Sequence, residues 1–303
     1  MLFHHQYTLA RPVEVSGAAL HSGVGTRVQL HPAGSDSGVV FRRIDLPGAP
    51  TIVAAVQQVG RARLATRLEG DGASVVTVEH LLAALAASGI HHVEVHVEGP
   101  ELPILDGSSV PWLRLLRQAG RRDLGVPQPV WRLRHAVGVR DGERWMRASP
   151  ARGLLLDVTL DFAETAIGIQ RVIWRHAMGR FRSDLAWART FAFLRDVNHM
   201  RSCGLALGGG LDNALVFTEH GVLDPSALRT PDEPARHKAL DLLGDLSLLG
   251  APIEARVTAV RPGHALTARL MRALVDALIW DDPRQASMAR GSATIDAQGA
   301  VPQ

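Results

Sequence analysis

Several sequence features that indicate where in the cell a protein is found are rare or absent in this chain. It has one cysteine, Cys203, so no disulfide can form within the chain, which is typical of a reducing compartment. It has no apolar run long enough to cross a membrane, since the run at residues 81–87 is soon followed by Gly89 and His91. The first six residues lack the basic and apolar regions of a secretion signal. We therefore expect a cytoplasmic protein with no stable membrane anchor.

Lysine is almost absent as well. Lys238 is the only lysine in a chain with 33 lysine and arginine residues, and it directly follows His237. Because a compact ammonium is not equivalent to the planar guanidinium of arginine, its retention here indicates a contact with an anionic group. The formal net charge is only +3 and no dense basic run with interleaved aromatics occurs. The composition therefore argues against nucleic-acid binding and agrees with an acidic small molecule as ligand.

The length and composition indicate a soluble protein with two domains. The chain of 303 residues exceeds the usual size of a single core, and its 46% of hydrophobic and 21% of charged residues are ordinary for a globular protein. Strands and helices follow one another in both halves, and the Gly/Pro-containing segment 125–129 is the best linker. We expect an N-terminal domain over residues 1–126 and a C-terminal domain over residues 127–303.

One predicted helix carries an unusual polar face. Asp232, Glu233 and Pro234 are typical helix-start residues, and they precede the segment that contains His237 and Asp241. A helix places these last two side chains one turn apart, where an imidazole and a carboxylate can hold a zinc ion from one side. The alternative is a solvated helix face with a salt bridge, and only a third ligand from elsewhere in the chain favours the metal site.

A second predicted helix begins with an acid and an imidazole. The pattern changes from strand-like to helical over residues 78–87, with Thr77 as a candidate N-cap. Glu79 and His80 then lie in the first turn, where the helix dipole favours a carboxylate.

Four other segments carry local sequence signals. His264 lies in a glycine-bounded loop after a predicted strand, and a short helix is predicted near residues 183–188. His92 and His96 share a predicted strand face, which we interpret as a solvent-facing row of mixed charge. The glycines at 208–210 lack the Gly-Lys-Ser/Thr ending of a phosphate-binding loop and predict a flexible apolar loop.

The separate candidates form a chemically sensible set. Two histidines and a carboxylate, His80, His237 and Asp241, match a catalytic zinc site with an open fourth position. Glu79 is then a candidate base, and His264 a candidate acid. Because the chain has 14 histidines, accidental trios are common and spacing alone is not specific.

Several motifs together resemble one known family, the UDP-3-O-acyl-N-acetylglucosamine deacetylases of lipid A biosynthesis. The motifs occur in the family's order over nearly the whole chain: Ser16-Gly17, Leu20-His21-Ser22-Gly23, Thr77-Val78-Glu79-His80-Leu81, Leu105-Asp106-Gly107-Ser108, Ala188-Arg189-Thr190-Phe191, Arg236-His237-Lys238, Asp241, Gly244-Asp245 and Gly263-His264-Ala265-Leu266. The resemblance implies an α+β fold of two α/β-sandwich domains, with helices layered against sheets and the active site between the domains.

The resemblance also implies roles for individual residues and a substrate, UDP-3-O-acyl-N-acetylglucosamine. Zn²⁺ would be held by His80, His237 and Asp241. In catalysis, Glu79 would activate the attacking water, Asp245 would orient His264 as the cationic acid, Thr190 would assist the oxyanion, and Lys238 and His21 would contact the substrate. A monomer is expected.

The rest of the substrate would occupy two regions. The nucleotide end is expected near Asp161, Phe162, Phe193, Arg144 and Arg261. The acyl chain is expected in an apolar passage formed by an insert over residues 191–217, which includes Phe191, Val197, Gly209 and Gly210.

The sequence departs from the family pattern at a few positions. Ala19 replaces a glycine of the first motif, and Ala65 aligns with a cysteine that is common near the metal. Two alternatives remain open at this point: a zinc amidase of the same fold acting on a related acyl-amino-sugar, and a catalytically silent nucleotide-sugar binding protein.

Overall fold

The computed structural model describes residues 5–61 and 64–281. Residues 1–4, on which the expectation about a secretion signal partly rests, and residues 282–303 lie outside these ranges. No described helix is both long and apolar enough to cross a membrane.

The N-terminal half is built around a five-stranded sheet. Its described strands and helices are β1 (His5–Leu9), β2 (Val13–Ala18), β3 (Gly25–Pro32), β4 (Val39–Arg43), β5 (Thr51–Val53), β6 (Arg67–Gly70), β7 (Ala73–Val76), α1 (Glu79–Ser88), β8 (Val93–Glu98), α2 (Val110–Ala119) and β9 (Arg121–Pro127). The large sheet has the strand order β2-β3-β8-β4-β5, while β1 pairs with β9 and β6 pairs with β7.

Strand β8 shows why this sheet forms a layer. Val93, Val95 and Val97 alternate with polar residues and are fully buried against the core that also contains the leucines of α1. His96 pairs with Glu94 on the other face, as predicted for a mixed-charge row. His92 is different: it is buried, and its Nδ1 accepts a hydrogen bond from Gly38 N at 2.8 Å. The prediction that His92 faces solvent is therefore wrong.

The C-terminal half contains a seven-stranded sheet. Its described elements are β10 (Val130–Leu133), β11 (Val137–Asp141), β12 (Arg144–Pro150), β13 (Leu154–Phe162), β14 (Gly168–Arg175), α3 (Arg180–Asp184), β15 (Phe191–Phe193), α4 (Leu194–Ser202), β16 (Leu215–Phe217), α5 (Glu233–Leu246), β17 (Ile253–Val260), α6 (His264–Leu274) and β18 (Leu278–Asp281). The order is β11-β12-β17-β10-β18, with β13 joined to β17 and β14 to β13. Helix α5 packs on β13 and β14, and α6 packs on β11 and β12.

The two helices that carry the predicted metal ligands cross at a glycine. A Cβ atom on Gly244 of α5 would lie 2.1 Å from the carbonyl oxygen of Glu79 and 3.2 Å from the amide nitrogen of Ala83, both in α1. Only glycine permits this approach. The crossing brings the first turn of α1 against the polar face of α5, and buried residues of both halves join in one apolar core.

The predicted fold class is confirmed, since helices are layered against sheets in both halves. The division at residue 126 stays a prediction. The insert predicted at residues 191–217 contains α4 between two strands, β15 and β16, which pair in parallel.

Some local predictions are wrong. Thr77 does not cap α1, because its backbone has φ +60° and its hydroxyl donates to Glu101 at 2.9 Å instead. The helix expected near residues 183–188 begins earlier, at Arg180 after Gly179, whose φ of +79° sets the turn. His264 is not in a loop but is the first residue of α6.

Candidate metal centre and active site

Three predicted ligands from two helices meet at one point. One side-chain atom from each of His80, His237 and Asp241 lies within 4.8 Å of the other two, and all three residues are buried. The Oδ1 atom of Asp241 is 3.6 Å from Nε2 of His80 and 3.4 Å from Nε2 of His237. This is the one group of potential metal ligands that satisfies this geometry within residues 5–61 and 64–281.

The chemistry of these side chains fits a bound cation. Nδ1 of His237 lies 3.1 Å from the carbonyl oxygen of Ala188, which can only accept, so the proton is on Nδ1 and the lone pair on Nε2 faces Asp241. Burial lowers the pKa of His237 to about 3, so the ring is neutral at neutral pH. Asp241 Oδ1 is buried and has no hydrogen-bond partner among the described residues. A cation would remove the cost of this unsatisfied oxygen.

The other oxygen of Asp241 is already engaged. Lys238 Nζ donates to Asp241 Oδ2 at 2.7 Å and lies 5.6 Å from the centre of the Phe191 ring. The single lysine therefore contacts an anionic group, as its retention in the sequence indicates, and the group is a carboxylate of the protein.

His264 is connected to two further groups. Its Nδ1 is 2.9 Å from Asp245 Oδ2 and 2.9 Å from the Thr66 hydroxyl, which itself donates to the other Asp245 oxygen. Burial lowers the pKa of His264, but the negative charges of Asp245 and Glu79 outweigh burial and raise the pKa to about 9. The imidazole is therefore cationic at neutral pH, with Nδ1 held and Nε2 facing the metal ligands.

Glu79 completes this polar centre. Its Oε1 lies 3.6 Å from Nε2 of His264, and its Oε2 accepts a hydrogen bond from the Thr66 amide at 3.1 Å. Burial raises the pKa of Glu79, and the positive charge of His264 opposes the rise. A buried carboxylate beside the metal ligands has the proton affinity that a general base requires.

Two further predicted residues are His21, which lies near His264, and Thr190, whose sequence neighbours contact His237. His21 is buried, and neither of its ring nitrogens has a hydrogen-bond partner in the part of the chain that the structure describes. Burial lowers the pKa of His21, Glu101 opposes this shift and His264 adds to it. Thr190 donates its amide proton to Gly107 O and lies between Ala188 and Phe191, both of which contact His237.

The residues predicted for the nucleotide end also come together. Arg261 Nη2 is 3.1 Å from Asp161 Oδ2, and Arg144 Nε donates to the carbonyl oxygen of Arg261 at 3.1 Å. The centroid of the Phe162 ring lies 5.4 Å from the centroid of the Phe193 ring and 6.4 Å from that of the Phe191 ring. Cationic and aromatic side chains therefore line neighbouring parts of one region.

The insert contacts the N-terminal half at the turn that carries His21 and, through Asn213, at Gly107. Leu207 N donates to His21 O at 3.1 Å, and Gly208 N donates to Leu20 O at 3.0 Å. Val197 is half-buried in α4, a helix in which no residue is fully buried. Gly209 and Gly210 follow the docking point and are half-buried.

Two residues of this region were not predicted from the sequence. Thr66 joins Glu79, Asp245 and His264, and its partners lie up to 198 residues away in the chain. Glu101 accepts hydrogen bonds from the His21 turn and from Thr77. Neither Thr66 nor Glu101 belongs to a periodic pattern or to the family motifs quoted above. The sequence alone therefore does not distinguish them from other loop residues.

Comparison with known proteins agrees with this geometry. The family model for LpxC, described as UDP-3-O-acyl N-acetylglycosamine deacetylase, matches residues 6–276. The UDP-3-O-acyl-N-acetylglucosamine deacetylase of Thermosynechococcus vestitus is 44% identical over 270 residues, which cover 89% of this chain and 93% of that protein. The proteins of the same name from Myxococcus xanthus and Shewanella baltica are 42% and 40% identical, over 269 and 273 residues. These alignments cover 89% of this chain in both cases, and 86% and 89% of the respective relatives. The chain therefore belongs to the LpxC family of deacetylases.

Proposed function

We propose that this protein hydrolyses the N-acetyl group of UDP-3-O-(3-hydroxyacyl)-N-acetylglucosamine and releases acetate, an early step of lipid A biosynthesis. The relatives carry the name of this activity. The observation that carries the proposal is the convergence of His80, His237 and Asp241 with an acid and a base, His264 and Glu79.

Zinc is the metal that this ligand set fits best. Two imidazoles and one carboxylate are a common catalytic zinc set, with one position left open for substrate or water. When bound, zinc supplies a Lewis acid that polarises the amide carbonyl and makes water nucleophilic near neutral pH. All other steps fall to side chains of this chain.

Glu79 is the proposed base. As water attacks the amide carbon, Oε1 of Glu79 takes up its proton, and the amide hydrogen bond from Thr66 to Oε2 keeps the carboxylate oriented. The attack forms a C–O bond and places negative charge on the former carbonyl oxygen. Thr190 and Lys238 are proposed to stabilise this charge, together with the cationic His264.

His264 is the proposed acid. The C–N bond breaks only when the departing amine of the sugar gains a proton, and the protonated imidazole can deliver it from Nε2. Asp245 holds the ring through Nδ1 and keeps it cationic, while Thr66 fixes the orientation of Asp245. The products are acetate and a free amino sugar.

The remaining site residues are proposed to hold the substrate. Arg144, Arg261 and Asp161 would contact the nucleotide, with Phe162 and Phe193 against its flat groups. His21 would contact the sugar. Phe191, Val197, Gly209 and Gly210 would line the passage for the acyl chain. We also propose that the protein acts as a monomer in the cytoplasm, where the UDP-sugar is available.

Acetate release tests this proposal. The purified protein with zinc is given UDP-3-O-(3-hydroxyacyl)-N-acetylglucosamine, and free acetate and free amine are both quantified. Equal amounts of the two products support the reaction. Release from a related acyl-amino-sugar but not from this substrate would favour an amidase of other specificity, and binding without release would favour a silent nucleotide-sugar binding protein.

A further inference from the structure

Glu101 is a buried carboxylate with an unusually complete set of partners. It is 2% exposed and accepts hydrogen bonds from His21 N at 2.8 Å, Ser22 N at 2.8 Å, Ser22 Oγ at 2.9 Å and Thr77 Oγ1 at 2.9 Å. No arginine or lysine pairs with it within residues 5–61 and 64–281. Two backbone amides and two hydroxyls therefore stabilise the negative charge of Glu101. Hydrogen bonds to a charged carboxylate are strong and directional.

Three of these four donors belong to one turn. The turn is closed by hydrogen bonds from Ala19 N to Val24 O at 2.9 Å and from Gly23 N to Ala19 O at 3.2 Å. It carries the buried ring of His21, whose nitrogens have no partner among the described residues. The ring is carried by the backbone of the turn, and Glu101 holds that backbone at the His21 and Ser22 amides.

The same turn is one of the places where the insert docks on the N-terminal half. The carbonyl oxygens of Leu20 and His21 accept the amides of Gly208 and Leu207. The fit is close, because a Cβ atom on Gly208 would lie 2.1 Å from Ala19 O. A shift of the turn away from the insert would lengthen and weaken these two hydrogen bonds.

The fourth donor connects Glu101 to the metal centre. Thr77 has a φ of +60° and precedes Glu79 and His80 by only two and three residues. Its hydroxyl reaches Glu101 rather than the free amides of α1. One carboxylate thus ties the start of the metal-binding helix to the turn that receives the insert.

We propose that Glu101 is a positioning residue that fixes the insert on the His21 turn and thereby sets the preference for a long acyl chain. The proposal rests on the proposed function, because the insert is taken as the passage for that chain. Glu101 touches neither the metal ligands nor the reacting atoms. Because Leu207 and Gly208 belong to the insert proposed as the acyl passage, removal of Glu101 is expected to affect long-chain substrates more than short ones.

The test compares two conservative variants. Glu101→Gln keeps the shape but replaces one acceptor oxygen by an NH₂ group that faces donors, so the turn loses part of its anchor. Glu98→Gln, three residues earlier, is the control, because Glu98 is half-exposed and, among the described residues, its side chain pairs with Arg27 on the sheet surface. Zinc content and melting temperature are measured for both proteins.

The first measurement is independent of any reaction. Hydrogen–deuterium exchange at the amides of Leu207 and Gly208 is expected to accelerate in Glu101→Gln and to stay at the wild-type rate in Glu98→Gln. Unchanged exchange in Glu101→Gln would overturn the proposal. If Glu101→Gln does not fold, Ser22→Ala removes a single donor and is expected to accelerate the same two amides to a smaller extent.

The second measurement is the ratio of kcat/KM for a long-acyl substrate to that for a short-acyl analogue. In Glu101→Gln, displacement of the passage is expected to lower this ratio about 10- to 100-fold. Gly208→Ala, in which the added methyl group pushes the insert off the turn, is also expected to lower the ratio. A general loss of stability would lower both rates equally, and an unchanged ratio would overturn the proposal. If the wild-type protein releases no acetate, the proposed function fails, while the exchange measurement still decides the role of Glu101.

Discussion

Gly244 of α5 lies against the backbone of Glu79 so closely that a single methyl group would collide with the Glu79 carbonyl oxygen. This contact fixes the distance between the two helices that carry the proposed metal ligands, the proposed base and Asp245. The separation of these groups is therefore a property of helix packing rather than of any loop.

Gly244→Ala tests the role of this contact. Alanine normally favours a helix over glycine by about 1 kcal/mol, but here overpacking should cost about 1–3 kcal/mol. We expect a lower melting temperature and a lower kcat, because α1 must move away from α5. Gly34→Ala is the control, since a Cβ atom there meets open space. A variant as stable and active as the wild-type protein would show that the crossing tolerates change.

Replacement of Glu79 by glutamine tests the proposed base. Glutamine keeps the shape but cannot accept a proton, so turnover should fall about 10²- to 10⁴-fold. Zinc content should stay near normal, because Glu79 is not among the three ligands. Turnover is measured by acetate release. Near wild-type turnover would assign the base to another group.

The pH dependence tests His264 and Asp245 together. Because the carboxylates raise the pKa of His264 to about 9 in the absence of metal, the protonated acid is present below that pH and is lost as the pH rises through its pKa. A bound zinc ion would repel this proton and lower the pKa of His264. The acidic limb reflects protonation of Glu79, whose pKa is raised by burial. We expect a bell-shaped profile of kcat/KM.

Two variants locate the basic limb. Asp245→Asn removes a negative charge that raises the pKa of His264, so the limb should move to lower pH. His264→Gln should lower the rate and flatten the limb. The measurement is kcat/KM from about pH 5 to 10. If His264→Gln keeps the wild-type limb, another group is the acid, with Lys238 the first to examine.

Gly210→Phe tests the acyl passage. The contact that a Cβ atom would make at Gly210 is with the Asp212 carboxylate, a side-chain end that can rotate away. The larger ring should therefore be accommodated locally and obstruct the passage. We expect kcat/KM to fall far more for a long-acyl substrate than for a short-acyl analogue. Equal losses for the two substrates would mean that the insert serves another purpose.

The sequence was most informative where residues repeat at helical spacing. The pair His237 and Asp241, one turn apart after a helix-start signal, predicted both α5 and two of the three proposed metal ligands. The pair Glu79 and His80 was placed correctly at the start of α1. For His237 and Asp241 the spacing of one turn places the side chains on one face, and for Glu79 and His80 the change to a helical pattern marks the first turn, so no tertiary information was needed.

The contacts that depend on distant residues could not be predicted. No periodic pattern marks Thr66. The two residues that its hydroxyl contacts, Asp245 and His264, are 179 and 198 residues away in the chain. Threonine is a common helix N-cap, but the Thr77 hydroxyl donates to the buried carboxylate of Glu101 instead. The Thr77 backbone also adopts a left-handed conformation. Tertiary partners overrode the local preference in both places.

The zinc content of purified His237→Ala and Asp241→Ala tests the central claim most directly. Both side chains offer one potential ligand atom to the proposed site, and a site with three protein ligands cannot lose one without a large loss of affinity. Elemental analysis of the two variants and of the wild-type protein, purified in parallel, is the measurement. We predict about one zinc ion per wild-type chain and a substantial loss in both variants. Full zinc occupancy in both variants, with acetate release intact, would contradict the proposed metal centre.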